Sequence, residues 1–192
     1  MDFLEIERRK VDEPINMSNT QFHEYYELYF LIKGDREVFV ENKLFFLQSG
    51  AFCIIPPFSM HKTEGSAYER INVYISANML SPAETAFLKK AAEETVFTLT
   101  AEQKNFITPI LKEAADAEIA DAGQRKNYHL YLAKAVLAYL QTQKLSPLAP
   151  ISSTKYPHKT DSIILQVVAF INENYRDKRH KRNDNRHNER YH

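Results

Sequence analysis

Residues 21–34 read QFHEYYELYFLIKG, and their alternation decides how the chain is read. Taken as a strand, a period of two puts Gln21, His23, Tyr25, Glu27 and Tyr29 on one face. The other face carries Phe22, Tyr26, Leu28, Phe30 and Ile32, broken only by Glu24. A half-solvated strand turns charge outward and apolar groups inward. A row of imidazole, carboxylate and phenol is instead expected to line a pocket.

Downstream the β pattern continues. KGD (33–35) marks a turn, and REVFV (36–40) and KLFFL (43–47) flank Glu41 and Asn42 as a tight hairpin. QSG (48–50) turns into AFCII (51–55), which Pro56 and Pro57 stop because proline gives no donor to a ladder. MHKTEG (60–65) and ERINVYIS (69–76) predict two more strands. Many short strands without an intervening helix indicate a small barrel or sandwich, placed at residues 1–80.

The period then changes. SPAETAFLKKAAEE (81–94) opens with Ser81 as N-cap, Pro82 at the first helical position and Glu84 closing a capping box. Thr100 and Gln103 form a second box at the head of residues 100–123, where Pro109 kinks or restarts the helix and Gly123 ends it. In YHLYLAKAVLAYLQTQK (128–144), Leu130, Leu132, Ala133, Val136, Leu137 and Leu140 do not share one face. Such a helix is expected to be covered on two sides, one of them by a second copy of the chain. Residues 81–145 therefore read as a helical dimerisation segment.

SPLAPISSTKYPHKT (146–160) has no periodicity and reads as a linker. Residues 161–178 hold a capped amphipathic helix with Ile163, Ile164, Val167, Val168 and Ile171 on one stripe. Residues 179–192, nearly free of apolar groups, read as a disordered basic tail. Charge balances over the whole chain, with 25 Lys and Arg against 25 Asp and Glu, so composition favours neither nucleic acid nor membrane as partner. The single cysteine, Cys53, allows no intramolecular disulfide. With a charged start, MDFLEIERRK, in place of an apolar leader, the expected location is the cytoplasm.

His23 and Glu27, followed by Gly50, Pro56 and His61 in GAFCIIPPFSMH, are spaced like the two motifs of cupins. Gln21 stands where that pattern has its first histidine, and Phe58 where it has its second glycine. More of the chain resembles the N-terminal effector domain of AraC-type bacterial transcription regulators. The carriers are the His-x3-Glu strand, the Gly-x5-Pro-x4-His turn, the strand begun by Arg70, and the order barrel, helices, linker, helix over residues 20–178.

The resemblance implies an α+β fold, a cupin-like jelly-roll barrel followed by helices. It implies a sensor rather than an enzyme, without cofactor: a homodimer binding a small polar, sugar-like effector through Gln21, His23, Tyr25, Glu27, Tyr29, His61 and Arg70. Operator DNA would be met only through a helix-turn-helix domain truncated here after its first helix, at residues 161–178. An alternative remains, a metal-dependent cupin enzyme such as a dioxygenase or sugar isomerase, with His23, Glu27 and His61 as metal candidates. Arg70 is expected to pair with Glu27 or to hold an anionic effector.

Overall fold

Two long strands organise the β layer. In the computed structural model, which describes residues 2–14 and 20–151, strands β2 (Tyr26–Val40) and β5 (His61–Ile75) each run for 15 residues and pair antiparallel almost end to end. Strand β1 (Leu4–Val11) pairs with β5. The free edge of β2 is shared: Glu27–Phe30 pairs with β4 (Ala51–Ile55), and Asp35–Val40 with β3 (Lys43–Gln48). Register shifts between Leu31 and Lys33 and between Gly34 and Arg36 bend the ribbon there, so one sheet folds into two layers. Gly34 sits at φ 84, and a Cβ on it would lie 2.2 Å from the Ala67 carbonyl oxygen, so only glycine fits this corner.

The sheet continues into the helical part. Helix α1 (Pro82–Glu94) is followed by β6 (Val96–Thr98), which pairs with β4. Then come α2 (Ala101–Asp116), α3 (Ala122–Thr142) and a two-residue strand, β7 (Ser146–Pro147), which pairs with β6. Sheet order is β1-β5-β2-β4-β6-β7, with β3 on β2. The architecture is the expected α+β one, a rolled antiparallel sheet of cupin-like form followed by helices.

Alternation along β2 sorts the core into two. Tyr29, Leu31, Val38 and Val40 meet Phe45, Leu47, Cys53, Ile55 and Val96 between the layers. Tyr26, Leu28 and Phe30 face the other way, where with Phe52, Ile54, Ile71 and Val73 they meet Leu88, Ile107, Leu111, Ala133, Val136, Leu137 and Leu140 of the helices. Tyr26, Leu28, Phe30 and Ile32 of the apolar row are thus the platform for the helices, and Glu27 and Tyr29 of the polar row face the barrel interior.

Several expectations are corrected. KGD is no turn but the bend inside β2, because the bulges let the strand continue. MHKTEG and ERINVYIS form one strand, β5, matched to the length of β2. Residues 4–11 form a strand that their charges concealed. The Ser81/Glu84 and Thr100/Gln103 boxes both close, and α2 carries Pro109 without interruption. Gly123 lies in the first turn of α3 behind the N-cap Asp121, and α2 already ends at Asp116. Val136 is 1% exposed against its own chain, so the outward face of α3 is marked instead by Tyr131, Ala135 and Ala138.

The start of the expected linker is held on the sheet, where Leu148 N donates to Val96 O (2.9 Å) and Ile151 N to Leu44 O (2.8 Å). The amphipathic helix at 161–178 and the tail at 179–192 lie outside the described residues. Among the described residues, no helix is long and apolar enough to cross a membrane.

Candidate functional site

The first motif is built half by a loop. β2 begins only at Tyr26, so His23 stands in the segment leading into it, anchored where Phe58 N donates to His23 O (2.7 Å). Gln21 and His61 exchange backbone hydrogen bonds, Gln21 N to His61 O (2.8 Å) and His61 N to Gln21 O (3.1 Å). This isolated bridge brings the two motifs side by side at the mouth of the barrel.

His23, Glu27 and His61 converge, their ligand atoms lying within 4.8 Å of one another. His23 Nε2 is 3.0 Å and His61 Nε2 3.3 Å from the same oxygen, Glu27 Oε2. Each Nδ1 faces a backbone carbonyl, Tyr25 O at 2.9 Å and Ser59 O at 3.2 Å. Tyr25 stacks on His23 (centroids 4.1 Å apart), and His61 meets His23 edge-on at 4.9 Å. The other carboxylate oxygen of Glu27 accepts from Asn72 Nδ2. Burial pushes the Glu27 carboxyl up, but hydrogen bonds and charge from His23 and His61 outweigh it and hold it at about 2.

Behind this cluster lies a cavity of about 250 Å³ between the layers. Of the expected site residues, Gln21, Glu27, Tyr29, His61 and Arg70 line it. His23 and Tyr25 line instead an adjoining outer cleft with Phe3, Glu5 and Phe22. Arg70 pairs not with Glu27 but with Glu7 on β1, its Nη2 3.0 Å from Glu7 Oε2, which also accepts from Tyr74 Oη (3.3 Å). Burial opposes the charge of Arg70, yet Tyr74 and Glu7 more than offset it, so the guanidinium stays cationic. Burial pushes the phenol of Tyr29 well up, and that of Tyr74 likewise, so both remain hydroxyl donors. Cys53, fully buried, has its thiol pushed far up and is inert core.

Sequence reading missed Glu7, Arg9, Arg36, Thr63, Tyr68, Asn72 and Tyr74, which complete the lining. Tyr68, Arg70, Asn72 and Tyr74 alternate along β5, a period-two signal as plain as the one in residues 21–29. Arg36 stands on the same face as Val38 and Val40, an isolated charge in an apolar row. Its Nη1 donates to Ser66 O (3.3 Å), its Nη2 to Thr63 Oγ1 (3.2 Å), and it lies 4.4 Å over the Tyr68 ring. Glu7 and Arg9 were out of reach because β1 was not recognised.

Tyr29 Oη, Arg70 Nη1 and Asn72 Oδ1 are buried without a hydrogen-bond partner. An unsatisfied buried polar atom costs about 1–3 kcal/mol, so each of these three favours a polar partner in the cavity. The donor set at the mouth also suits a divalent first-row ion. With both Nδ1–H groups on carbonyls, two imidazole lone pairs and a carboxylate oxygen would face one point, which calls for a cation there, a proton or a metal.

No protein-family model and no curated protein matches the chain. Among solved structures, 38% of the chain overlaps a cupin-superfamily protein from Desulfitobacterium hafniense, at 12% identity and TM-score 0.36, spanning 67% of that chain. A cupin 2 conserved barrel domain protein from Rhodopseudomonas palustris overlaps 38% of the chain at 21% identity and TM-score 0.35, spanning 52% of its own length. A predicted oxalate decarboxylase from Thermotoga maritima overlaps 37% at 20% identity and TM-score 0.34, spanning 64% of its own length. The chain thus spans about two thirds or less of these proteins. TM-scores this low carry nothing about activity, and the cupin-like form rests on the strand order and layers above.

Proposed function

We propose that the chain is the effector-sensing part of a transcription regulator of the AraC type, a binding protein rather than an enzyme. The barrel takes a small polar effector, the helices supply a dimer contact, and operator DNA would be met only through a helix-turn-helix domain. What supports this reading most is the set of buried atoms without partners, Tyr29 Oη, Arg70 Nη1 and Asn72 Oδ1, gathered on one cavity. A hydroxyl-rich guest satisfies them and is recognised by them. The exposed Tyr131 and Phe106, the latter stacked on Tyr139 at 4.0 Å, give the helical layer an aromatic outer surface suited to a second copy.

Two measurements test it. A thermal-shift screen of the full chain against sugars, sugar acids and hydroxy acids should find a stabilising ligand. At a hundredfold excess over its Kd the gain is about 2.7 kcal/mol, a rise of about 5–10 °C. Sedimentation at micromolar concentration should show a dimer that Tyr131→Glu weakens. A silent screen over that range sinks the sensor reading, and a clean monomer sinks the dimer.

The convergence of His23, Glu27 and His61 favours one second reading, a metal-dependent cupin enzyme. These side chains would hold the ion, which would supply Lewis acidity at open positions. Elemental analysis of purified protein separates the two. One equivalent of a divalent metal, lost in His61→Ala, favours the enzyme.

A further inference from the structure

The barrel cavity is mixed in charge. Arg9, Arg36 and Arg70 face it against Glu7 and Glu27. Both carboxylates are already engaged, Glu7 by Arg70 Nη2 and Tyr74, and Glu27 by His23, His61 and Asn72. Arg36 is 1% exposed and Arg70 9%, whereas Arg9 is exposed, so two guanidiniums are held away from bulk water, where a charge-assisted hydrogen bond is strongest.

We infer that the ligand of this cavity is a small hydroxy acid bearing a single carboxylate. This rests on the effector reading and deepens it. Arg70 Nη1 and Tyr29 Oη are donors without acceptors, and the Arg70 guanidinium lies 5.8 Å from the centroid of the Tyr29 ring. A carboxylate presents two acceptor oxygens to such a pair, and its charge strengthens both hydrogen bonds. Asn72 Oδ1 is the complementary case, an acceptor without a donor, and it takes a ligand hydroxyl. A neutral polyol meets Asn72 equally well but offers Arg70 Nη1 only an uncharged acceptor, the weaker of the two hydrogen bonds. A dicarboxylate brings more negative charge than the lining offsets. The volume, about 250 Å³, equals the liquid share of about eight waters, which limits the ligand to about four to six carbons.

The test is calorimetric titration of the full chain with L-threonate, D-xylonate and D-gluconate, each against its matched alditol, threitol, xylitol or glucitol. At least one acid should bind, and its alditol should bind about tenfold more weakly or worse. Arg70→Gln should remove the preference for the acid without strengthening the alditol. Tyr29→Phe, which deletes one hydroxyl and no packing, should weaken the acid too, and serves should Arg70→Gln fail to fold. Alditols binding as tightly as acids would overturn the inference and leave the effector reading standing. Silence from both series overturns the inference as well. A neutral sugar active in the thermal screen would then still keep the effector reading, and a silent screen would remove it.

Discussion

Replacing Glu27 by Gln removes a charge and keeps the shape. The side chain is 4% exposed, touches both imidazoles through one oxygen and Asn72 through the other, and its carboxyl is held at about 2 against an ordinary 4.5. Because the folded value is depressed, the ionised form stabilises the fold above pH 4.5, and that contribution fades as pH falls toward 2. A shift of this size corresponds to on the order of 3 kcal/mol at neutral pH and about 2 kcal/mol at pH 3.5. Glu27→Gln, a mimic of the protonated form, should therefore be less stable than the parent by on the order of 3 kcal/mol at pH 7. The gap should narrow steadily on acidification. Urea unfolding followed by circular dichroism at a series of pH values measures it, and subtracting the two proteins cancels every other carboxylate. A gap that stays constant with pH, or a variant more stable than the parent at pH 7, would refute the picture of a carboxylate held ionised by two histidines.

Other substitutions probe the frame around that site. Phe52 is fully buried with its ring between Phe30 (5.3 Å) and Phe97 (5.2 Å), so Phe52→Ala should cost about 3–5 kcal/mol in chemical denaturation. Gly34→Ala forces a Cβ to 2.2 Å from the Ala67 carbonyl at a positive φ of 84, and should lower stability by at least about 2 kcal/mol in the same assay. Tyr29→Phe removes a buried hydroxyl that has no partner, so the ligand-free variant should melt at or above the parent temperature while losing ligand affinity.

Where the sequence was legible, side-chain chemistry and local geometry pointed the same way. Glu41 and Asn42 turn the hairpin with Val40 opposite Lys43, and both capping boxes close, because these signals need only neighbouring residues. The polar row was legible in part. Glu27 and Tyr29 do alternate into the barrel, but His23 reaches Glu27 from a loop, so its placement depends on the Phe58 contact rather than on period two. What escaped depended on distant partners. LEIERRKV looks like a solvated segment until β5 supplies its ladder, and Val96–Thr98 is too short to declare itself between two helices. Gly34 and Asp35 imitate a turn because a bulge uses the same backbone freedom. In α3, apolar excess alone could not say that Val136 faces inward and Tyr131 outward.

The alternation along β2 also has a mechanical side. Glu27 and Tyr29 reach into the cavity from the same few peptide units that send Leu28 and Phe30 into the layer beneath the helices. A backbone of this kind works as a rocker. A guest that tugs on Tyr29 and twists the strand about its long axis must swing Leu28 and Phe30 by a similar angle, because interiors at crystal-like density yield little. The ring of Phe30 then presses on Phe52, and through it on Phe97, next to the start of α2. A rotation of this strand would reach the helices through these rings, with no hinge or moving loop required.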